Sequence, residues 1–153
     1  MVLDGKLSLS STLGWGALSG LVGTAAMTAF QKLVEMPITG RDDSYAPADF
    51  AEKVFPVAPK NQRARKRLNY LAHFGIGTGW GVAYAIAHRS GLRGQRAVAT
   101  VFAGVYTGDV VLNTALGLYK PWEWSFEDTA IDVIDKLVQA EAAGAAFEAL
   151  SPS

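Results

Sequence analysis

The sequence predicts an all-α, polytopic membrane helix bundle: three transmembrane helices and a fourth, amphipathic helix at the C-terminal end. Three observations predict it. Charge is sparse, with 18% of the 153 residues being Asp, Glu, Lys or Arg, against roughly 25% in soluble domains. That charge is also unevenly spread. Leu7–Gln31 holds no Asp, Glu, Lys, Arg or His over 25 residues, Leu68–Ala87 holds only His73, and Ala97–Tyr119 holds only Asp109. Each stretch reaches the roughly 20 residues with which a helix crosses a hydrocarbon core of about 30 Å. Finally, these stretches lack the charged outer stripe of a helix in a soluble bundle. They are rich instead in Gly, Ala, Ser and Thr, which let membrane helices pack closely.

The length fits one domain over residues 1–153. Residues 1–12 form a polar lead, and span one covers about 13–36, where Pro37 stops it. Its apolar stretch exceeds a cleavable leader's core of roughly 7–15 residues, so a signal anchor describes it better. The loop that follows carries Pro37, Pro47, Pro56 and Pro59. Within it, Pro47–Phe55 has proline at a first helical position and an acidic first turn, predicting a short helix. Phe50, Val54 and Phe55 share one side of it, suited to the membrane surface or to covering the bundle end. Lys60, Arg63, Arg65, Lys66 and Arg67 then precede span two, a lipid-facing basic cluster that anchors a helix against anionic head groups. Net charge is zero, which argues against a nucleic-acid partner.

Span two covers about 68–88 and span three about 96–119, joined by a tight Arg89–Gln95 turn with two glycines. Tyr119-Lys-Pro-Trp-Glu-Trp124 reads as an aromatic belt at head-group depth. Ser125-Phe-Glu-Asp128 matches a capping box and opens the last helix, about 126–150. Asp132, Asp135, Lys136, Gln139 and Glu141 interrupt that helix. Each charge at mid-bilayer costs on the order of 2.5–3.5 kcal/mol, so this helix does not insert alone. It is either the inward-facing fourth member of the bundle or an amphipathic helix outside it. For orientation, the long-loop side carries Arg41, Lys53, Lys60, Arg63, Arg65, Lys66, Arg67 and Lys120, against Lys6, Arg89, Arg93 and Arg96 on the other. The positive-inside rule puts loop 37–67 in the cytoplasm.

The polar residues within the spans share a layer. A rise of about 1.5 Å per residue places Glu35 within a turn of the long-loop face, Gln31, His73, Asn113 and Asp132 at roughly 6–8 Å, and Thr28, Asp109 and Asp135 at about 12–14 Å. Thr24, Thr28, Gln31 and Glu35 fall on one stripe; Tyr106, Asp109 and Asn113 on a second; Asp128, Asp132, Asp135 and Gln139 on a third. Asn69, His73, Gly77, Trp80 and Tyr84 share a face of span two. Ionisable groups inside a membrane face the bundle interior, so these stripes predict one polar cavity. Three readings apply to it. Glu35, His73, Asp109 and Asp132 or Asp135 offer carboxylate and imidazole ligands for iron or manganese, although no Glu-x-x-His pair is present. A proton or ion path needs titratable groups across the whole bilayer, and the outer half offers little. The third is a hydrogen-bonded network holding the helices together, with Asp109 protonated or paired to His73 or Lys136.

Gly16-x-x-x-Gly20, and the pairs Gly75/Gly79 and Gly77/Gly81, mark faces for close helix contact. The absence of cysteine excludes disulfides and thiolate chemistry. No P-loop, H-E-x-x-H or G-x-S-x-G motif occurs, and no cofactor is required.

Glu35-Met-Pro37 with Arg41, His73 with Tyr84, and Pro121-Trp122-Glu123 come in an order that resembles the YagU-type small inner-membrane proteins of bacteria. The resemblance implies a bundle in the bacterial plasma membrane and supplies no catalytic residues. The expected function is therefore that of an accessory or scaffold protein. It would pack its glycine faces against lipid, other membrane subunits or a second copy of itself. The alternative is a small transporter or channel component, or a metal- or cofactor-binding membrane protein, that uses the carboxylate–histidine layer. An enzyme ranks behind both, since no nucleophile–base arrangement is legible.

Overall fold

Ser8 opens the first helix: its hydroxyl accepts the Ser11 N–H at 3.1 Å, satisfying one of the donors a helix start leaves bare. The computed structural model describes residues 2–3 and 6–152. A two-residue antiparallel pairing of β1 (Val2–Leu3) with β2 (Lys6–Leu7) precedes this helix, and all other regular structure described is helical. Helix α1 (Leu9–Phe30) runs through a π turn, Gln31–Glu35, into α2 (Met36–Thr39), an unbroken rod of 31 residues. The expected stop at Pro37 does not occur. The Met36 N–H reaches back to the Gln31 carbonyl, and this wider turn makes room for a proline ring that would crowd the carbonyl four residues earlier. The rod ends instead at Gly40, in the left-handed region at φ 70°.

Helix α3 (Ala46–Val54) lies on the start of α4 (Gln62–Arg89) through Ala48 and Ala51, leaving Val54 and Phe55 exposed. Helix α5 (Gly94–Ala115) is shorter than the span expected from composition. Gly117 takes φ 75°, the Leu118 N–H bonds the Asn113 carbonyl at 2.8 Å, and the Gly117 N–H bonds that of Thr114 at 3.0 Å. This is a Schellman motif, and it closes the helix before Tyr119. Helix α6 (Phe126–Leu150) starts at a capping box, with the Ser125 hydroxyl and the Asp128 carboxylate each bonded to the other's N–H.

Helix α1 packs antiparallel to both α4 and α6, and α6 also lies against α4 and α5, so the last helix is a full member of a four-helix bundle. Backbones of α1 and α4 nearly touch along Gly16, Gly20, Gly77 and Gly81. A Cβ at Gly20 would stand 2.6 Å from the Gly77 carbonyl oxygen. Beyond this seam, Trp80, Tyr84, Val98, Val101 and Phe147 form an aromatic–aliphatic core between α4, α5 and α6. At that end the Tyr84 hydroxyl donates to Glu148 at 2.6 Å, and the same carboxylate accepts the Gly94 N–H at 2.9 Å.

Apart from that aromatic–aliphatic core, the bundle turns apolar side chains outward and mostly polar or small ones inward. Buried in α1 are Thr12, Gly16, Ser19, Gly20, Gly23, Thr24 and Met27, while Leu18, Leu21 and Val22 face out. On α6, Asp135 and Gln139 are buried while Ile134 and Leu137 are exposed. In water each large side chain left outside forfeits part of the roughly 1.5–3 kcal/mol that its full burial would contribute.

Two helices, Leu9–Thr39 and Gly94–Ala115, are long and apolar enough to cross a membrane. The expected third span, 68–88, is not among them. Helix α4 is long enough, but four glycines, His73, Trp80 and Tyr84 dilute its charge-free stretch.

Candidate functional site: a polar cavity at the long-loop end

Threonine, glutamine and carboxylate side chains of α1 and α6 meet where the rod passes through its π turn. Gln31 donates its amide N–H to Asp135 Oδ2 at 2.7 Å, and one turn deeper Gln139 donates to Thr24 Oγ1 at 2.9 Å. From α4, His73 Nε2 lies 3.0 Å from Thr28 Oγ1, whose hydroxyl donates to the Thr24 carbonyl at 2.8 Å. A hydroxyl has one proton, so that commitment makes Nε2–H the donor to Thr28 and leaves Nδ1 as the free acceptor.

Of these residues Thr28, Gln31, His73 and Asp135 wall a cavity of about 470 Å³ between the α1–α2 rod, α4, α6 and the loop that follows Gly40. Thr28, Gln31, Glu35, His73, Asp132 and Asp135 of the expected polar layer all line it. Arg41 closes one side as a strap to the start of α6, 2.5 Å from Asp128 and 3.6 Å from Glu127. The Ser125 hydroxyl, the Ser125 N–H and then Arg41 together hold the Asp128 carboxyl down at about 2. Asn69 fixes the loop above, accepting the Ala48 N–H at 3.0 Å and donating to the Ser44 carbonyl at 2.9 Å.

Asp109 and Asn113 do not line the cavity. They lie between α5 and α6, where the Asn113 amide donates to Asp109 Oδ1 at 3.0 Å. Lys136 stands between them and the cavity, its Nζ 3.1 Å from Asp109 and 2.6 Å from Asp132. Of the partners expected for Asp109, the structure selects Lys136. The four residues Glu35, His73, Asp109 and Asp132 are consequently not gathered. Among the described residues no three His, Asp or Glu side chains stand together as a metal site.

The charges on the wall are unbalanced. Lys32 pairs with Asp43, Arg41 with Asp128 and Lys136 with Asp132, which leaves Glu35, Asp42 and Asp135 without a cation among the described residues. Among the described residues the Glu35 carboxylate is reached only by the Thr39 hydroxyl, at 2.9 Å, whose one proton is shared with the Glu35 backbone carbonyl. Asp135 is 7% exposed, and its Oδ1 has no hydrogen-bond partner among the described residues. Tyr70, Tyr119 and Trp124 supply aromatic wall. The arrangement is suited to a cation small enough to enter, through charge-assisted hydrogen bonds and ring faces.

The glycines and the basic cluster divide between inside and outside. Gly16, Gly20, Gly77 and Gly81 are consumed by the α1–α4 seam, while Gly75 and Gly79 face open space. Arg65 turns back to Asp49 and Glu52 on α3, so it is not lipid-facing, whereas Lys60, Arg63, Lys66 and Arg67 are exposed. The sequence places Lys136 only as one of two partners for Asp109, not in the cavity wall. Its i,i+4 spacing from Asp132 was the available signal.

Fold and site together define an all-helical bundle with two helices able to cross a membrane and a polar, acid-rich cavity at one end. No known protein family matches the chain, and no curated protein or solved structure is similar to it.

Proposed function

We propose that this is a small polytopic membrane protein whose cavity receives a small organic cation, as a transporter or channel component would, from the side of loop 37–67. Asp135 carries the reading: a carboxylate 7% exposed, with one oxygen held by Gln31 and the other without a partner among the described residues, in the wall of a cavity of about 470 Å³. A buried charge left half-satisfied is costly unless a ligand completes it. Membrane placement is supported by the outward Leu, Ile and Val residues of α1, α4, α5 and α6. Kinship with the YagU-type proteins of the bacterial plasma membrane belongs to the same reading. Glu35, Met36, Arg41 and His73 of the shared motifs all line the cavity.

The test is titration calorimetry of the detergent-solubilised protein with ethylammonium and tetramethylammonium chloride, with sodium chloride as the reference. The expected result is saturable binding of an ammonium ion that weakens about tenfold or more in Asp135→Asn, the loss of one charge-assisted hydrogen bond. Equal affinity in the variant, or no ammonium binding by the wild type, refutes the proposal.

A second reading, the accessory or scaffold protein, has its own support. Gly75 and Gly79 on α4, and Gly104 and Gly108 on α5, have nothing within 4 Å of where a Cβ would stand, leaving smooth faces for a partner helix. Co-purification of a stoichiometric polypeptide, lost in Gly104→Leu, would favour it.

A further inference from the structure

The charge-free part of α4 begins directly after its basic residues, and the helix sorts those residues by face. Arg63, Lys66, Arg67, Tyr70, Leu71 and Phe74 follow i, i+3, i+4, i+7, i+8 and i+11, and together they line one open trough along the outside of α4. Its upper half is cationic. Arg63, Lys66 and Arg67 are exposed, and among the described residues none of them makes an ion pair or a side-chain hydrogen bond. The neighbouring Arg65, one position off the stripe, is committed to α3 through Asp49 and Glu52. The lower half is apolar, with Leu71 73% exposed and Phe74 half-buried beneath it.

We propose that this trough is a binding site for an anionic diacyl phospholipid, with the phosphate on Arg63, Lys66 and Arg67 and an acyl chain along Leu71 and Phe74. The order of the two halves carries the assignment. Three cations without counter-ions stand above an apolar strip, all within about 16 Å of helix, which is the order of head group and chain in a bilayer leaflet. A soluble polyanion would match the upper half and leave the lower half in water. A zwitterionic lipid would match the lower half and leave three cations uncompensated. Tyr70 lines both this trough and the polar cavity, so a bound lipid would lie against one wall of the cavity. The proposal rests on the membrane placement of α4, and its test separates the two.

The protein is reconstituted into phosphatidylcholine nanodiscs containing a minority of phosphatidylglycerol, and the lipid retained after gentle extraction is identified by native mass spectrometry. The wild type is expected to enrich phosphatidylglycerol at least about tenfold over its share of the disc, and the Arg63→Gln/Lys66→Gln/Arg67→Gln variant is expected to lose that enrichment. Arg65→Gln is expected to keep it. Glycerol 1-phosphate, the head group without chains, is expected not to compete. Equal enrichment in the triple variant, loss of enrichment in Arg65→Gln alone, or full competition by glycerol 1-phosphate would each overturn the lipid site. Failure of the wild type to enter nanodiscs at all would instead overturn the membrane placement on which the site rests.

Discussion

Lys136 shows how much can depend on one side chain. It is 14% exposed, touches Asp132 and Asp109, and lies 5.3 Å from the Tyr106 ring centre and 5.8 Å from that of Tyr119. One cation therefore compensates two carboxylates at the junction of α5, α6 and the cavity. Replacing it by Met leaves both charges uncompensated, and the expected loss is about 3–5 kcal/mol in thermal unfolding of the solubilised protein. Asp109→Asn and Asp132→Asn added to Lys136→Met should recover most of that loss. A triple variant as unstable as the single one would mean that Lys136 acts through packing. The i,i+4 half of this triad is legible in the sequence. For the half that reaches Asp109 the sequence offers His73, Lys136 or a protonated Asp109, and only the packing of α5 against α6 decides for Lys136.

Two elements test themselves through matched substitutions. Gly20 and Gly79 belong to the same kind of motif, yet a Cβ at Gly20 meets the α4 backbone, while one at Gly79 meets nothing within 4 Å. Gly20→Ala should therefore destabilise the bundle by about 1–3 kcal/mol, since backbone cannot move aside as a side chain can. Gly79→Ala should stabilise it by up to about 1 kcal/mol through helix propensity. Equal effects in thermal unfolding would show that the α1–α4 seam is not formed. Helix α6 offers a pH test at its first turn. The Asp128 carboxyl is held at about 2 in the folded chain, against an ordinary 3.8, first by the Ser125 hydroxyl. A depressed carboxyl stabilises the fold in full above its ordinary value, and that contribution disappears as the pH falls through the folded one. The stability gap between the wild type and Asp128→Asn should be open at neutral pH and close between 3.8 and about 2. A gap that stays constant down to acid would remove the capping box and the Arg41 strap from the account.

For the whole molecule, the distribution of polarity makes the prediction. The chain has no cysteine, so single cysteines can be placed without background. In membranes, cysteines at Leu21, Val22 and Val111 should resist a water-soluble maleimide, while one at the exposed Trp122 should react. Rapid labelling at all these positions would mean that the apolar surface faces water. The helical class, the capping box at Ser125 and the polar character of the long-loop layer were legible because each depends on spacing along a single segment. The path of the rod through Pro37, the early close of α5 at Gly117, and the shortfall of α4 as a span were not. There, backbone geometry and a dilute mixture of glycine and aromatic residues outweigh the pattern of charge.

By itself the sequence determined that the chain is helical, that polar groups of its helices collect toward one end, and that some of its glycines serve close contact, since periodicity and composition act locally. Only the tertiary structure decided which glycines are spent inside and which stay open. It also sent Arg65 to α3 and left its neighbours facing outward. Finally, it set Asp109 behind Lys136 and Asp135 at the cavity wall. Those outcomes depend on which helix lies against which, and no single segment carries that information.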